Sequence, residues 1–118
     1  PHYQQLNNKQ LPKRKVGDAE LFSLIGEDSP MEHHMHGRLT ATQLAPSGTT
    51  TVENPHYEED LFLYVTDGTG QVTYNEETHA LGQYDVLLIR PDADLVDITA
   101  SADDRLDYMS FYLPTFLD

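Results

Sequence analysis

Six histidines in 118 residues give this chain its most conspicuous chemistry, and three of them crowd into Glu32-His33-His34-Met35-His36-Gly37. On a strand, side chains alternate faces, so His34 and His36 would point the same way. Joined by His56, they would form a three-imidazole site for a divalent transition metal. Read plainly, the same run is a His-rich loop edge, or an interface that titrates near neutral pH. His56 alone suits a general acid/base or a ligand contact, and equally a histidine bonded to its own loop. Glu58-Glu59-Asp60 is either a paired catalytic carboxylate or a solvated acidic surface, the second being the commoner role in so acidic a chain. Asp92, Asp94 and Asp97 lack the spacing of a calcium loop. Arg38 and Arg90 could each hold a substrate carboxylate or phosphate by a bidentate fork, or serve in a structural ion pair. Tyr57, Tyr64, Tyr74, Tyr84, Tyr108 and Tyr112 offer amphipathic surface for a small polar organic ligand, although tyrosine is also frequent in strands.

The elements that must carry these groups are short. Turn clusters recur every 8–12 residues, the spacing of sandwiches and barrels. Strands are predicted over Ala19–Ile25, Arg38–Ala45, Leu61–Thr66, Gln71–Asn75, Thr78–Leu81, Asp85–Arg90, Leu95–Ala100 and Leu106–Leu113, about eight in all. Asp67-Gly68-Thr69-Gly70 between two of them reads as the turn of a hairpin. No long segment keeps a helical period. Residues 1–15 are polar and without strand or helix period, and are read as an arm preceding one barrel domain over 16–118.

Charge sorts the partners. Four of the seven basic residues, Lys9, Lys13, Arg14 and Lys15, fall in the arm, whereas from Val16 onward there are three arginines, no lysine and all 20 acidic residues. Such a body repels nucleic acid and anionic membranes. The basic arm then clasps its own acidic body or a neighbouring subunit. There is no cysteine, no secretory leader and no apolar run long enough for a membrane helix, which together point to a cytoplasmic location.

Two stretches, GTTTVENPHYEEDLFLYVTDGTG over 48–70 and LGQYDVLLIRPDADLV over 81–96, resemble the two motifs of the cupin superfamily. Gly48, Pro55-His56, the acidic cluster and Asp67-Gly68-x-Gly70 carry the first; Leu81-Gly82, Asp85 and Pro91 carry the second. The resemblance implies an all-β, double-stranded β-helix, the jelly-roll barrel of that superfamily. It also implies where a metal would sit. The family's first two ligand positions fall on Asn54 and His56, the carboxylate position on Leu61 or Asp60, and the last on Val96 or Leu95. One strong ligand out of four does not make a good metal site. Parity decides between the middle pair: if Leu61 points inward with Leu63 and Val65, Asp60 points out.

The expectation is therefore a cupin domain binding a small organic molecule without a cofactor, the usual metal site largely lost. Asn54, His56 and Arg90 supply polar contacts, and Leu61, Leu63 and Val96 an apolar wall. If it is an enzyme, His56 is the catalytic residue of a metal-independent isomerase or lyase. The alternatives are a non-catalytic sensor or assembly domain, and a metalloenzyme using His34, His36 and His56 with a divalent transition metal. A homodimer joined through the arm and a strand edge is the expected assembly.

Overall fold

The computed structural model describes residues 4–26, 29, 37–53, 55, 59–90 and 95–114. A single 3-10 turn (Asn8–Gln10) precedes ten strands among these residues: β1 (Lys13–Val16), β2 (Ala19–Ile25), β3 (Arg38–Leu44), β4 (Thr49–Thr51), β5 (Glu59–Gly68), β6 (Gly70–Tyr74), β7 (Glu77–Leu81), β8 (Val86–Ile89), β9 (Asp97–Ala100) and β10 (Leu106–Pro114). They form a six-stranded sheet in the order β1-β2-β3-β10-β5-β8 and a four-stranded sheet in the order β4-β9-β6-β7. Every pairing is antiparallel. This is the all-β jelly roll that the cupin motifs imply. No described helix is long and apolar enough to cross a membrane.

The core lies between the two sheets, and β5 shows how the sequence makes it. Its burial alternates strictly from Glu59 to Val65, with Leu61, Leu63 and Val65 almost wholly buried. Val72, Val96, Ile98, Leu44 and Leu106 meet them there. Each such side chain contributes about 1.5–3 kcal/mol by leaving water. Asp60 takes the other parity, as expected. Strand β8 sits at the sheet edge against β5, with Ile89 inward and Val86 and Leu88 exposed.

Three expectations need correction. The stretch read as a structureless arm carries β1, which pairs with β2 in register Lys13↔Phe22 to Val16↔Ala19. The Gly17-Asp18 turn allows this: Gly17 has φ 59°, and a Cβ there would press on the Thr49 carbonyl oxygen. The arm's charges duly fall on the same chain's acids, Lys13 on Glu20 at 3.9 Å and Arg14 on Glu53 at 2.9 Å. Strand β4 is also additional, three threonines paired to β9.

The third correction concerns Asp67-Gly68-Thr69-Gly70, which is no hairpin. Strands β5 and β6 belong to different sheets, so this segment is a corner. It is held by the loop before β10: Thr69 N donates to Arg105 O at 3.1 Å, and Ser101 N to Thr69 O at 3.0 Å. Gly68, at φ 86°, lies so close to the Arg105 carbonyl that no Cβ fits. The tight two-residue hairpin comes next, joining β6 to β7 through Asn75 and Glu76, both at positive φ. Glutamate at such a position hides the signal that Asn-Gly would have given.

Candidate functional site

Two neighbouring strands of the large sheet turn polar residues inward among the core side chains. In β3 the inward residues are Arg38, Thr40, Thr42 and Leu44, while Leu39 and Ala41 face out. In β10 the inward residues are Leu106, Tyr108, Ser110 and Tyr112, while Met109, Phe111 and Leu113 face out. The register places these in rows: Leu44 beside Leu106, Thr42 beside Tyr108, Thr40 beside Ser110, Arg38 beside Tyr112. Leu63 and Leu61 of β5 continue the last two rows on the far side of β10. One wall of the interior thus runs from hydrocarbon at Leu44 and Leu106, through hydroxyls, to a guanidinium. Thr40, Thr42 and Ser110 are all buried. Burying a hydroxyl costs about 1–3 kcal/mol unless it is hydrogen-bonded; Thr42 is hydrogen-bonded to Tyr108, and no hydroxyl of this wall is a buried atom without a partner among the described residues.

Arg38 anchors the polar end. Its Nη2 donates to Glu59 Oε1 at 2.8 Å and its Nη1 to Glu53 Oε1 at 3.4 Å. The guanidinium lies over the Tyr112 ring, 3.9 Å from the centroid, a cation–π contact. Tyr112 in turn donates its hydroxyl to Glu53 O at 2.6 Å. Glu53 also accepts from Arg14 Nη2 at 2.9 Å, so the edge strand β1 is tied into the cluster. Arg38 Nε is buried and meets no acceptor among the described residues. A buried N–H without a partner is costly, so this donor is open to a further acceptor.

The electrostatics follow from this packing. Burial works to lower the Arg38 pKa, but the hydrogen bond and charge of Glu59, with the charge of Glu53, outweigh it and raise it. Burial pushes Glu53 up, and the two arginines more than reverse that, holding its carboxyl below the usual range. Burial raises Tyr108 to about 12, against a small opposing effect of its hydrogen bond to Thr42. Tyr112 is also raised, by burial first and by the Glu53 charge second, with Arg38 opposing. Both phenols stay protonated at neutral pH and can donate.

The residues named from sequence fall as follows. Leu61 and Leu63 of β5 and Val96, which directly precedes β9, come together in the core. Arg90 directly follows β8 and is exposed, on the parity opposite to the inward Ile89. Among the described arginines it is Arg38, not Arg90, that reaches the interior. Glu59, read as part of a solvated triplet, is instead buried and paired. Asn54 and His56 lie outside the described residues, as do His33, His34 and His36. The segment that carries Asn54 and His56 is nonetheless bracketed in sequence by Glu53 and Glu59, both bound to Arg38. Thr40, Thr42 and Ser110 escaped sequence reasoning, although the alternation of β3 and β10 was visible; nothing in one sequence says which face turns inward.

The metal positions that the resemblance implies were tested against the same geometry. Leu61 and Val96 are buried hydrocarbons that donate no lone pair, so the described part of the inherited ligand set does not fit a metal. Among the described residues no three His, Cys, Asp or Glu side chains come together as a metal site.

Comparison with known proteins agrees with the fold and extends it. No curated protein sequence matches. Solved structures do, at low identity. A sugar phosphate isomerase of the cupin superfamily from Silicibacter pomeroyi superposes with a TM-score of 0.72 at 15% identity, covering 95% of this chain and 76% of that one. A cupin protein from Bacteroides fragilis gives 0.68 at 18% identity over 100% and 90% of the two chains. The polyketide cyclase of Streptomyces resistomycificus gives 0.68 at 16% identity over 98% and 87%. The family profile described as AraC-like ligand binding domain matches residues 49–118, which hold β4 to β10 and the β10 half of the polar wall. The chain is a cupin barrel and belongs to the AraC-like ligand-binding domain family.

Proposed function

We propose that this domain binds a small, uncharged, hydroxyl-rich organic molecule inside the barrel, at the Arg38 end of the polar wall. The observation that carries the reading is the inward-facing run Thr42, Thr40, Arg38 beside Tyr108, Ser110, Tyr112, with Arg38 Nε left open. Two arguments favour a neutral ligand. The guanidinium already faces two carboxylates, Glu53 and Glu59, so the cluster has no spare positive charge for an anion. The chain as a whole carries a net charge of −13, which repels anions before they arrive. Hydroxyls, phenols and carboxylate oxygens together donate and accept, which is what a polyol or a free sugar requires. Hydrogen bonds to charged partners contribute about 1.5–3 kcal/mol each, enough for Arg38 and Glu59 to fix its orientation. Leu61, Leu63 and Val96 supply the apolar side of the site, consistent with the usual make-up of small-molecule pockets. On this reading Asn54 and His56, which lie outside the described residues, add polar contacts to the ligand, and no metal takes part.

The name of one fold neighbour, a sugar phosphate isomerase, favours a sugar-sized ligand and a second reading in which the ligand is turned over. His56 is then the acid/base, and His56→Ala abolishes turnover while leaving the fold intact. For the binding reading, calorimetric titration with a panel of free pentoses, hexoses and linear polyols, beside their phosphates and acids, is the test. Binding of a neutral member, weakened about tenfold (about 1.4 kcal/mol) by Ser110→Ala, is expected. Exclusive binding of the anionic members would remove the proposal.

A further inference from the structure

The inner face of the four-stranded sheet changes character along its strands. On β6 it carries Gly70, Val72 and Tyr74, and beside them on β7 Leu81, His79 and Glu77. Gly70, Val72 and Leu81 are buried, in line with Ala100 and Ile98 of β9. Tyr74 packs against the same core but is only partly buried, and His79 and Glu77 are exposed. Side chains that take the inward parity and still meet water mark an end where the two sheets part. It is the Arg38 end. Strands β5 and β6 meet at the Gly68–Gly70 corner, where Leu106 of β10 also lies. From there β6 runs out to Tyr74, and β10 runs out through Ser110 to Tyr112 beside Arg38. Stacked sheets lie about 10 Å apart, so one small molecule held at this end can touch both walls.

The two rings form one surface. Tyr74 and His79 are a diagonal cross-strand pair, their centroids 5.4 Å apart and their planes 28° from parallel. The tight turn at Asn75 and Glu76 fixes the stem that carries them. His79 Nε2 donates to Glu77 Oε2 at 3.3 Å, so Nδ1 of the neutral imidazole is an acceptor, with no protein partner among the described residues.

We infer that the Tyr74–His79 pair is the ring-selecting part of the ligand site, a platform for the C–H face of a cyclic, neutral sugar that favours it over a linear polyol with the same hydroxyls. This rests on the binding reading above and adds a ring to its ligand.

The face of an aromatic ring is the negative part of its quadrupole, and sugar C–H bonds, polarised by the neighbouring oxygens, are weakly positive. A pyranose holds several of them on one rigid face. A linear polyol presents such a face only after its chain is ordered, which costs entropy. The hydroxyls around the ring then meet Arg38 Nε on one wall and His79 Nδ1 on the other. Glu77 adds a carboxylate to Glu53 and Glu59 at this end, a further reason for a neutral ligand. The hairpin itself does not need the stack to reach the core, since Val72 and Leu81 already anchor both its strands there.

Calorimetric titration with methyl pyranosides, whose rings cannot open, beside the alditols of the same sugars tests the inference, with a thermal melt of each variant. The native chain is expected to prefer the pyranoside by at least about tenfold. Tyr74→Leu and His79→Leu should each cut that preference to about twofold or less through lost pyranoside affinity, with alditol affinity unchanged. His79 is exposed, so its variant keeps the test independent of how well Tyr74→Leu folds. A pair that serves only the hairpin would weaken both ligand classes together or neither, and either outcome overturns the inference. A native chain that binds pyranoside and alditol alike overturns it too, while leaving the neutral-ligand reading in place. Binding of neither class removes both.

Discussion

Arg38 is held from three sides, and each contact predicts a measurable consequence. Glu59 keeps only 12% of its side chain exposed, so Arg38→Met leaves a nearly buried carboxylate without its counter-charge. That loss should cost about 3–5 kcal/mol in urea unfolding, and adding Glu59→Gln should recover most of it. Arg38→Met with no change in stability would mean that the pair is ornamental. Titration gives a second check. Tyr108 and Tyr112 have folded pKa values above the ordinary phenol's, so the unfolded chain loses these protons first as pH rises. Their contribution to stability is full below about pH 10 and is lost as pH climbs toward the folded values. Tyrosinate absorbance should show two classes among the seven tyrosines, with the late class removed by Tyr108→Phe/Tyr112→Phe. Glu53 works the other way: its folded pKa is lowered, so its contribution is present at neutral pH and fades as pH falls through the acid range.

At the scale of the element, β3 and β10 join function to stability. Between the core leucines Leu44 and Leu106 and the Arg38 end, they turn Thr40, Thr42 and Ser110 inward while Leu39, Ala41, Met109 and Phe111 face out. Thr40→Val should weaken ligand binding about tenfold while changing the stability of the domain by no more than about 1 kcal/mol. Thermal melts and titrations on one preparation check both halves. A variant that loses stability and keeps affinity would show that the hydroxyl serves the fold. The corner between the sheets makes the opposite demand. Gly68→Ala combines a positive φ with a collision against the Arg105 carbonyl and should cost at least about 3 kcal/mol. Gly82→Ala, with only Asp85 at 3.9 Å, should be nearly neutral. Period-two patterning made most strands legible in the sequence, and the parity of Leu61, Leu63 and Val65 oriented β5 correctly. Strand β1 was hidden because three of its four residues are basic and read as an arm. The corner looked like a hairpin because Asp-Gly serves both. What decides is the partner of the turn, here the distant Arg105 loop, which local sequence does not contain.

For the whole molecule, the two sheets differ in their faces: β3 and β10 of the larger sheet give the interior a polar wall, and the smaller sheet turns a threonine-rich face outward. The barrel was legible from glycines, strand spacing and motif order together. The site was legible only in part. Leu61 and Leu63 were placed by parity and Val96 by the motif resemblance, and Arg38 was noticed as one of two arginines on strands. Glu59 was hidden by its neighbours Glu58 and Asp60, since burial of one acid in three depends on which cation lies across the sheet. The central claim is that the Arg38 end of the interior wall holds a neutral, hydroxyl-rich ligand. The most direct measurement follows the arginine Nε–H signals by heteronuclear NMR, in a chain with only four arginines, while a free sugar or polyol is added. The account predicts that the Arg38 signal shifts saturably, alone among the four, and with little dependence on salt. A ligand that binds while the Arg38 Nε–H stays fixed, or that shifts it only when anionic, would contradict it.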